Sequence, residues 1–146
     1  GIDNVDTYPN VVFTGPLVAL LDEDSASDGD IFPAAFKTLG LGPLIGKRSW
    51  GGIIGITNLG PLMDGGTVYV PQFGTASADG RWTIEGVGVT PDIEVDNPPH
   101  ATFRGQDAQL DAAIDYLLRK LEEEPVPVPV IPPRPDKSHE TNRGQQ

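Results

Sequence analysis

The 146-residue chain contains no cysteine, which excludes disulfides and thiolate metal sites and leaves the redox compartment open. It has only two histidines, His100 and His139, too few for a histidine-rich metal site. Basic residues are scarce: 10 Lys and Arg against 21 Asp and Glu give a formal charge of −11. Nucleic acid is therefore not an expected partner, because phosphate binding needs clustered Lys and Arg. The same charge suits a soluble domain and attracts basic ligands. No run of about 18 apolar residues occurs, so no membrane span is expected, and no basic-plus-apolar signal segment opens the chain. The cytoplasm is the expected compartment, with the periplasm as the alternative. No cofactor is expected either. The glycine pairs lack the G-x-x-x-x-G-K-[ST] pattern of a phosphate loop. Asp22, Glu23, Asp24, Asp28 and Asp30 do not have the spacing of a calcium loop and read as a solvated acidic rim.

Eighteen glycines and fifteen prolines punctuate what remains. The opening "GIDNVDTYPNVVFTGP" has no methionine and leads into a strand, as expected for a piece of a longer polypeptide. Leu17 to Leu21, "LVALL", is a short apolar run and reads as a buried strand. A helix follows, with Ile31, Ala34, Ala35, Phe36 and Leu39 at helical spacing and Gly40 as its stop. Ser27, Asp28 and Asp30 are candidate caps, and Pro33 is expected within the first turn. Strands are expected at Leu44 to Lys47, Ile53 to Thr57, Thr67 to Pro71 and Gly74 to Ala78, with turns at Asp64 to Gly66 and Ala78 to Gly80. His100 reads as an exposed loop residue.

A second helix is expected from about Asp107 to Glu124, with Leu110, Ile114, Leu117, Leu118 and Leu121 forming one apolar stripe. Such a stripe serves core, interdomain or subunit packing. Pro125 ends it, and "PVPVPVIPPRP" reads as polyproline II followed by a disordered polar tail. An SH3-like partner is the alternative role for that tail. The order strand, helix, several strands, helix gives an α/β class with a layered sheet and flanking helices.

The chemistry centres on "DSASDGDIF". A serine nucleophile needs a base for its proton and donors for the developing oxyanion. A turn from a strand into a helix supplies free N–H groups and a favourable dipole. Ser27 stands at such a turn, and the Asp28 N–H follows it directly. Gly29 leaves room for a substrate backbone. Taken alone, the same residues are also what an ordinary helix N-cap shows. Trp50 is expected either to shape a groove or to pack at a strand start. Glu85, between Ile84 and Gly86, reads equally as a solvated turn residue.

"SASDGD", then "LGLGPLIGKRSWGG", then "EGVGVTPDIEV" occur in that order between Pro16 and Val95. This succession resembles the C-terminal catalytic segment of the Tricorn-like branch of the tail-specific, carboxy-terminal processing serine peptidases. The resemblance implies the ClpP/crotonase-like core of that superfamily, present here as a partial domain. It puts the nucleophile on Ser27, an oxyanion donor on the Asp28 N–H, and an acidic tetrad member on Glu85, 58 positions past the serine. The family's histidine and second tetrad serine are adjacent and lie upstream of the matched segment. Related peptidases use a lysine as base, and Gly52 holds that position here, so a Ser–Lys dyad is not expected. Residues 1–124 are then expected to be the C-terminal part of the catalytic domain, and 125–146 its proline-rich tail. The implied partners are a peptide or unfolded-protein substrate, the rest of the protease polypeptide and further copies in a homo-oligomer. The competing function is a non-catalytic peptide-binding or assembly module.

Overall fold

The computed structural model describes residues 8–128, 130, 132 and 133. In chain order its elements are β1 (Ala19–Leu21), α1 (Asp28–Thr38), β2 (Leu44–Gly46), β3 (Gly55–Pro61), β4 (Thr67–Phe73), β5 (Ile93–Glu94), α2 (Pro99–Phe103) and α3 (Ala108–Glu123). Strands β1, β2 and β5 form a parallel sheet in that spatial order. Its central strand is apolar on both faces, with Leu44 and Ile45 fully buried, as parallel sheets require. Each such burial contributes roughly 1.5–3 kcal/mol. Phe36 of α1 packs with Ala19, Leu21, Leu44 and Val89 to form the core.

Asp92 ties this sheet to α1. Its Oδ2 accepts the Leu44 N–H at 2.9 Å, and its Oδ1 pairs with Lys37 Nζ at 2.7 Å. The Lys37 bond first, then the Leu44 N–H, hold the Asp92 carboxyl below the ordinary aspartate range, because both favour the charged form. Helix α1 ends in a Schellman turn: Leu41 N–H reaches the Phe36 carbonyl and Gly40 N–H the Lys37 carbonyl, with Gly40 at φ 62° as this stop needs.

Several elements differ from the sequence expectation for identifiable reasons. β1 starts at Ala19 rather than Leu17, opposite Leu44, the first residue of its short partner. β3 begins at Gly55, not Ile53, because the Ile53 and Ile54 N–H groups are spent on Glu85. Gly74 to Ala78 forms no strand. Gly55 opposite Phe73 is the end of the β3–β4 ladder, and past it only the Ala76–Trp82 bridge forms. Pro33 lies beyond the first turn of α1, at the loss of one helical hydrogen bond. His100 lies in α2 rather than in a loop. Pro99 at the first helical position, where its missing N–H costs nothing, is the signal for that short helix.

Helix α3 is capped as expected, with Asp107 Oδ1 accepting the Leu110 N–H at 3.0 Å. Its leucine stripe does not face the core. Leu110, Ile114, Leu118 and Leu121 are exposed, Leu117 is half-buried, and Gln109 and Ala113 are the buried residues. The helix lies against β1 and β2, which Ala113 lets it approach closely. Gln109 is satisfied there by the Val95 carbonyl and by Asn97. The β3–β4 hairpin also leaves Ile56, Leu59, Tyr69 and Phe73 exposed. The proline-rich tail expectation falls largely outside the described residues.

Candidate active site

Strand β1 runs into an acidic turn, and the turn into α1. Ser25 closes it locally. Its hydroxyl donates to Asp22 Oδ1 and accepts the Asp22 N–H, both at 3.0 Å, so this serine is committed to the turn. Ser27 is different. It is the N-cap of α1, at φ 56° and ψ −110°, and it is the one non-glycine residue with positive φ among those described. That conformation costs on the order of 1–3 kcal/mol and persists only where surroundings enforce it. The pair Ser27 and Asp30 has the arrangement of a capping box. Asp30 Oδ2 accepts the Ser27 N–H at 3.0 Å, but the Asp30 N–H finds the Ser27 carbonyl, at 2.9 Å. The Ser27 hydroxyl, though it stands over the same N–H, makes no full capping hydrogen bond in the turn. The next donor, the Asp28 N–H, has no acceptor among the described residues and stands at the positive end of α1.

Asp30 is the residue that sequence reasoning misplaced. It belongs to no solvated rim: it is 0 % exposed. Besides the Ser27 N–H, it accepts Gly51 N–H on Oδ1 at 2.8 Å and Gly52 N–H on Oδ2 at 3.2 Å. Three N–H bonds are what a buried carboxylate requires in place of water. The S-x-x-D spacing of Ser27 and Asp30 was the available signal, since a capping box turns its acid back toward the chain.

The segment leaving β2 completes the site. The Trp50 N–H donates to the Ser25 carbonyl at 2.9 Å, which draws the Gly51–Ile54 segment against the serine turn. Gly51, at φ 89°, passes so close to the 84–88 loop that a Cβ on it would lie 2.5 Å from Gly88 N. Glu85 comes from that loop. Its Oε2 accepts the Ile53 N–H at 2.7 Å and the Ile54 N–H at 3.0 Å, so it is an anchored acid rather than a free turn residue. Ser27 and Glu85 line one cavity of about 570 Å³ together with Trp50, Gly52, Ile54, Ile56 and Phe73. Trp50 is 63 % exposed, so it forms cavity wall rather than core.

The basic groups are elsewhere or occupied. A Cβ on Gly52 would lie 2.0 Å from the Trp50 ring, so the ring fills the space a side chain there would enter. Lys47 Nζ pairs with Glu23 at 2.9 Å and Asp96 at 3.4 Å. The hydrogen bond Lys47 donates to Glu23, and after it the one to Asp96, raise the Lys47 amine above its ordinary value, the wrong direction for a base. His100 is exposed, beside Arg104, and is not among the residues lining the cavity. His139 lies outside the described residues.

Comparison with known proteins bears on this arrangement. The family model of peptidase family S41 matches residues 2–95, a span that includes Ser27, Asp30 and Glu85. The Tricorn protease of Thermoplasma acidophilum is 42% identical over 126 residues, which are 83% of this chain and 12% of that protein. A putative Tricorn-like protease C-terminal subunit of Sulfurisphaera tokodaii is 45% identical over 122 residues, 82% of this chain and 14% of that protein. The crystal structure of the tricorn protease superposes with a TM-score of 0.65 at 45% identity, covering 72% of this chain and 10% of that one. The chain thus spans about one-eighth of the length of these relatives.

Proposed function

Since the chain belongs to peptidase family S41, we propose that it is the C-terminal catalytic segment of a Tricorn-like serine endopeptidase with Ser27 as nucleophile. The observation that carries this is the strained Ser27 at the start of α1, its hydroxyl without a full capping hydrogen bond and the next N–H without an acceptor among the described residues. In the proposed reaction Ser27 Oγ attacks the scissile carbonyl and forms a new C–O bond, and a base takes the hydroxyl proton. The oxygen that becomes negative is met by the Asp28 N–H. Collapse breaks the C–N bond and protonates the leaving amine, and water then releases the acyl group from Ser27. The absence of a histidine from the cavity lining and the engaged state of Lys47 support a base supplied from outside the described residues. Glu85 has its Oε2 fixed by two N–H groups, which leaves Oε1 to orient the serine and histidine supplied from upstream.

The substrate class is short peptides or unstructured protein tails. The apolar wall of Trp50, Ile54, Ile56 and Phe73 beside Ser27 supports it. The exposed faces of α3 and of the β3–β4 hairpin support contact with the rest of the polypeptide and with further copies in a homo-oligomer. The test compares two samples on a chromogenic peptide. The full-length protein is expected to hydrolyse it, and residues 1–146 alone are not. Turnover by residues 1–146 alone, stopped by Ser27→Ala, would show that the base lies within this segment and overturn the proposal.

A further inference from the structure

Four successive main-chain N–H groups, from Gly51 to Ile54, end on two carboxylates. Gly51 and Gly52 donate to Asp30, and Ile53 and Ile54 donate to Glu85. Asp30 also holds the Ser27 N–H. The two acids are thus the ends of one strut whose middle is the Gly51–Ile54 segment, and both Ser27 and Glu85 are registered against that segment. Asp30 is fully buried and does not line the cavity, so it acts through its neighbours rather than on a substrate.

We propose that Asp30 is a positioning residue of the Ser27 centre. Its carboxylate clamps the Ser27 turn to Gly51 and Gly52 and so sets both the Ser27 hydroxyl and the Asp28 N–H against Glu85. The physical need is specific. Ser27 sits outside the ordinary basins, at φ 56° and ψ −110°, and a residue so placed relaxes unless several bonds hold it. Rotation about either Ser27 torsion swings the Asp28 peptide plane, and with it the proposed oxyanion donor. An ionised carboxylate meets the need because it accepts from three N–H groups at once, and its hydrogen bonds are stronger than neutral ones. Asparagine is nearly the same size but must turn an NH₂ group toward at least one of those donors.

This inference rests on Ser27 being the nucleophile, and its test separates the two ideas. Wild type, Asp30→Asn and Gln109→Leu full-length proteins are compared for the rate of fluorophosphonate labelling at Ser27, and for kcat and KM on a peptide. Gln109 is also a buried polar residue but serves α3, so it controls for destabilisation alone. Asp30→Asn is expected to lower the labelling rate and kcat by about 10- to 100-fold, the scale of a small misplacement of a reacting group. KM is expected to change little, and Gln109→Leu to keep the wild-type kcat. Asp30→Glu, which retains the charge on a longer arm, serves if the asparagine variant does not fold, and is expected to be slowed as well. Folded Asp30 variants labelled at the wild-type rate would overturn the positioning role while leaving Ser27 as nucleophile. No labelling of Ser27 in the wild type would overturn both.

Discussion

Replacing Ser27 with glycine is expected to lower kcat/KM of the full-length enzyme by about 10⁴-fold or more, while raising the stability of this segment. The first effect follows from removing the proposed attacking oxygen. What turnover survives loss of a serine nucleophile comes from binding and oxyanion donors alone. The second follows from Ser27 holding φ 56°, which glycine adopts without a Cβ penalty. The hydroxyl makes no capping bond, so little stabilisation is lost with it, and the gain is about 1 kcal/mol. Steady-state hydrolysis and a denaturant midpoint read the two quantities on one sample. Opposite signs would exclude misfolding as the cause of the lost activity. A fall in both would mean that the hydroxyl serves the fold.

Gly51→Ala is expected to lower stability by about 2–4 kcal/mol, with loss of peptide hydrolysis. Two costs combine. Gly51 sits at φ 89°, where an L-residue is strained. Its Cβ would also lie 2.5 Å from Gly88 N, a backbone atom that cannot move aside without parting the two loops. The Gly51 carbonyl accepts the Gly86 N–H at 2.7 Å, and its own N–H serves Asp30, so that parting would disturb the setting of Glu85 as well. Gly40→Ala is the comparison. It has a similar positive φ of 62° but nothing within 4 Å of a built Cβ, so it should cost only about 1 kcal/mol. Equal denaturation midpoints for the two variants would refute the interlocked-loop account.

The parts of this fold that follow from local chemistry could be read from the sequence. Gly40 as the stop of α1 and Asp107 as the cap of α3 are local devices, and both act where expected. The apolar "LVALL" run marked the sheet strand, though only Ala19 to Leu21 pair. What could not be read depends on partners distant in sequence. An acid near a helix start reads the same whether it faces water or a glycine loop 21 residues away, so from sequence Asp30 reads as a surface residue. Ile53 and Ile54 have the composition of a strand, but Glu85 takes their N–H groups from 31 and 32 positions on. The leucines of α3 show the right period for a buried face. Period alone does not say what covers that face, and in this chain Leu110, Ile114, Leu118 and Leu121 are exposed while Leu117 is half-buried. The convergence of Ser27 and Glu85 on one cavity was likewise accessible only through motif resemblance, because no local rule links positions 58 apart.

The central claim is that Ser27, and not Ser25, is the nucleophile. Ser25 is bound at both its donor and its acceptor side to Asp22, whereas the Ser27 hydroxyl makes no full capping hydrogen bond. The most direct measurement is to treat the folded full-length protein with a fluorophosphonate and map the modified peptide by mass spectrometry. The account predicts a single adduct on Ser27, formed in step with loss of peptide hydrolysis. An adduct on Ser25, or full inactivation with Ser27 unmodified, would contradict it.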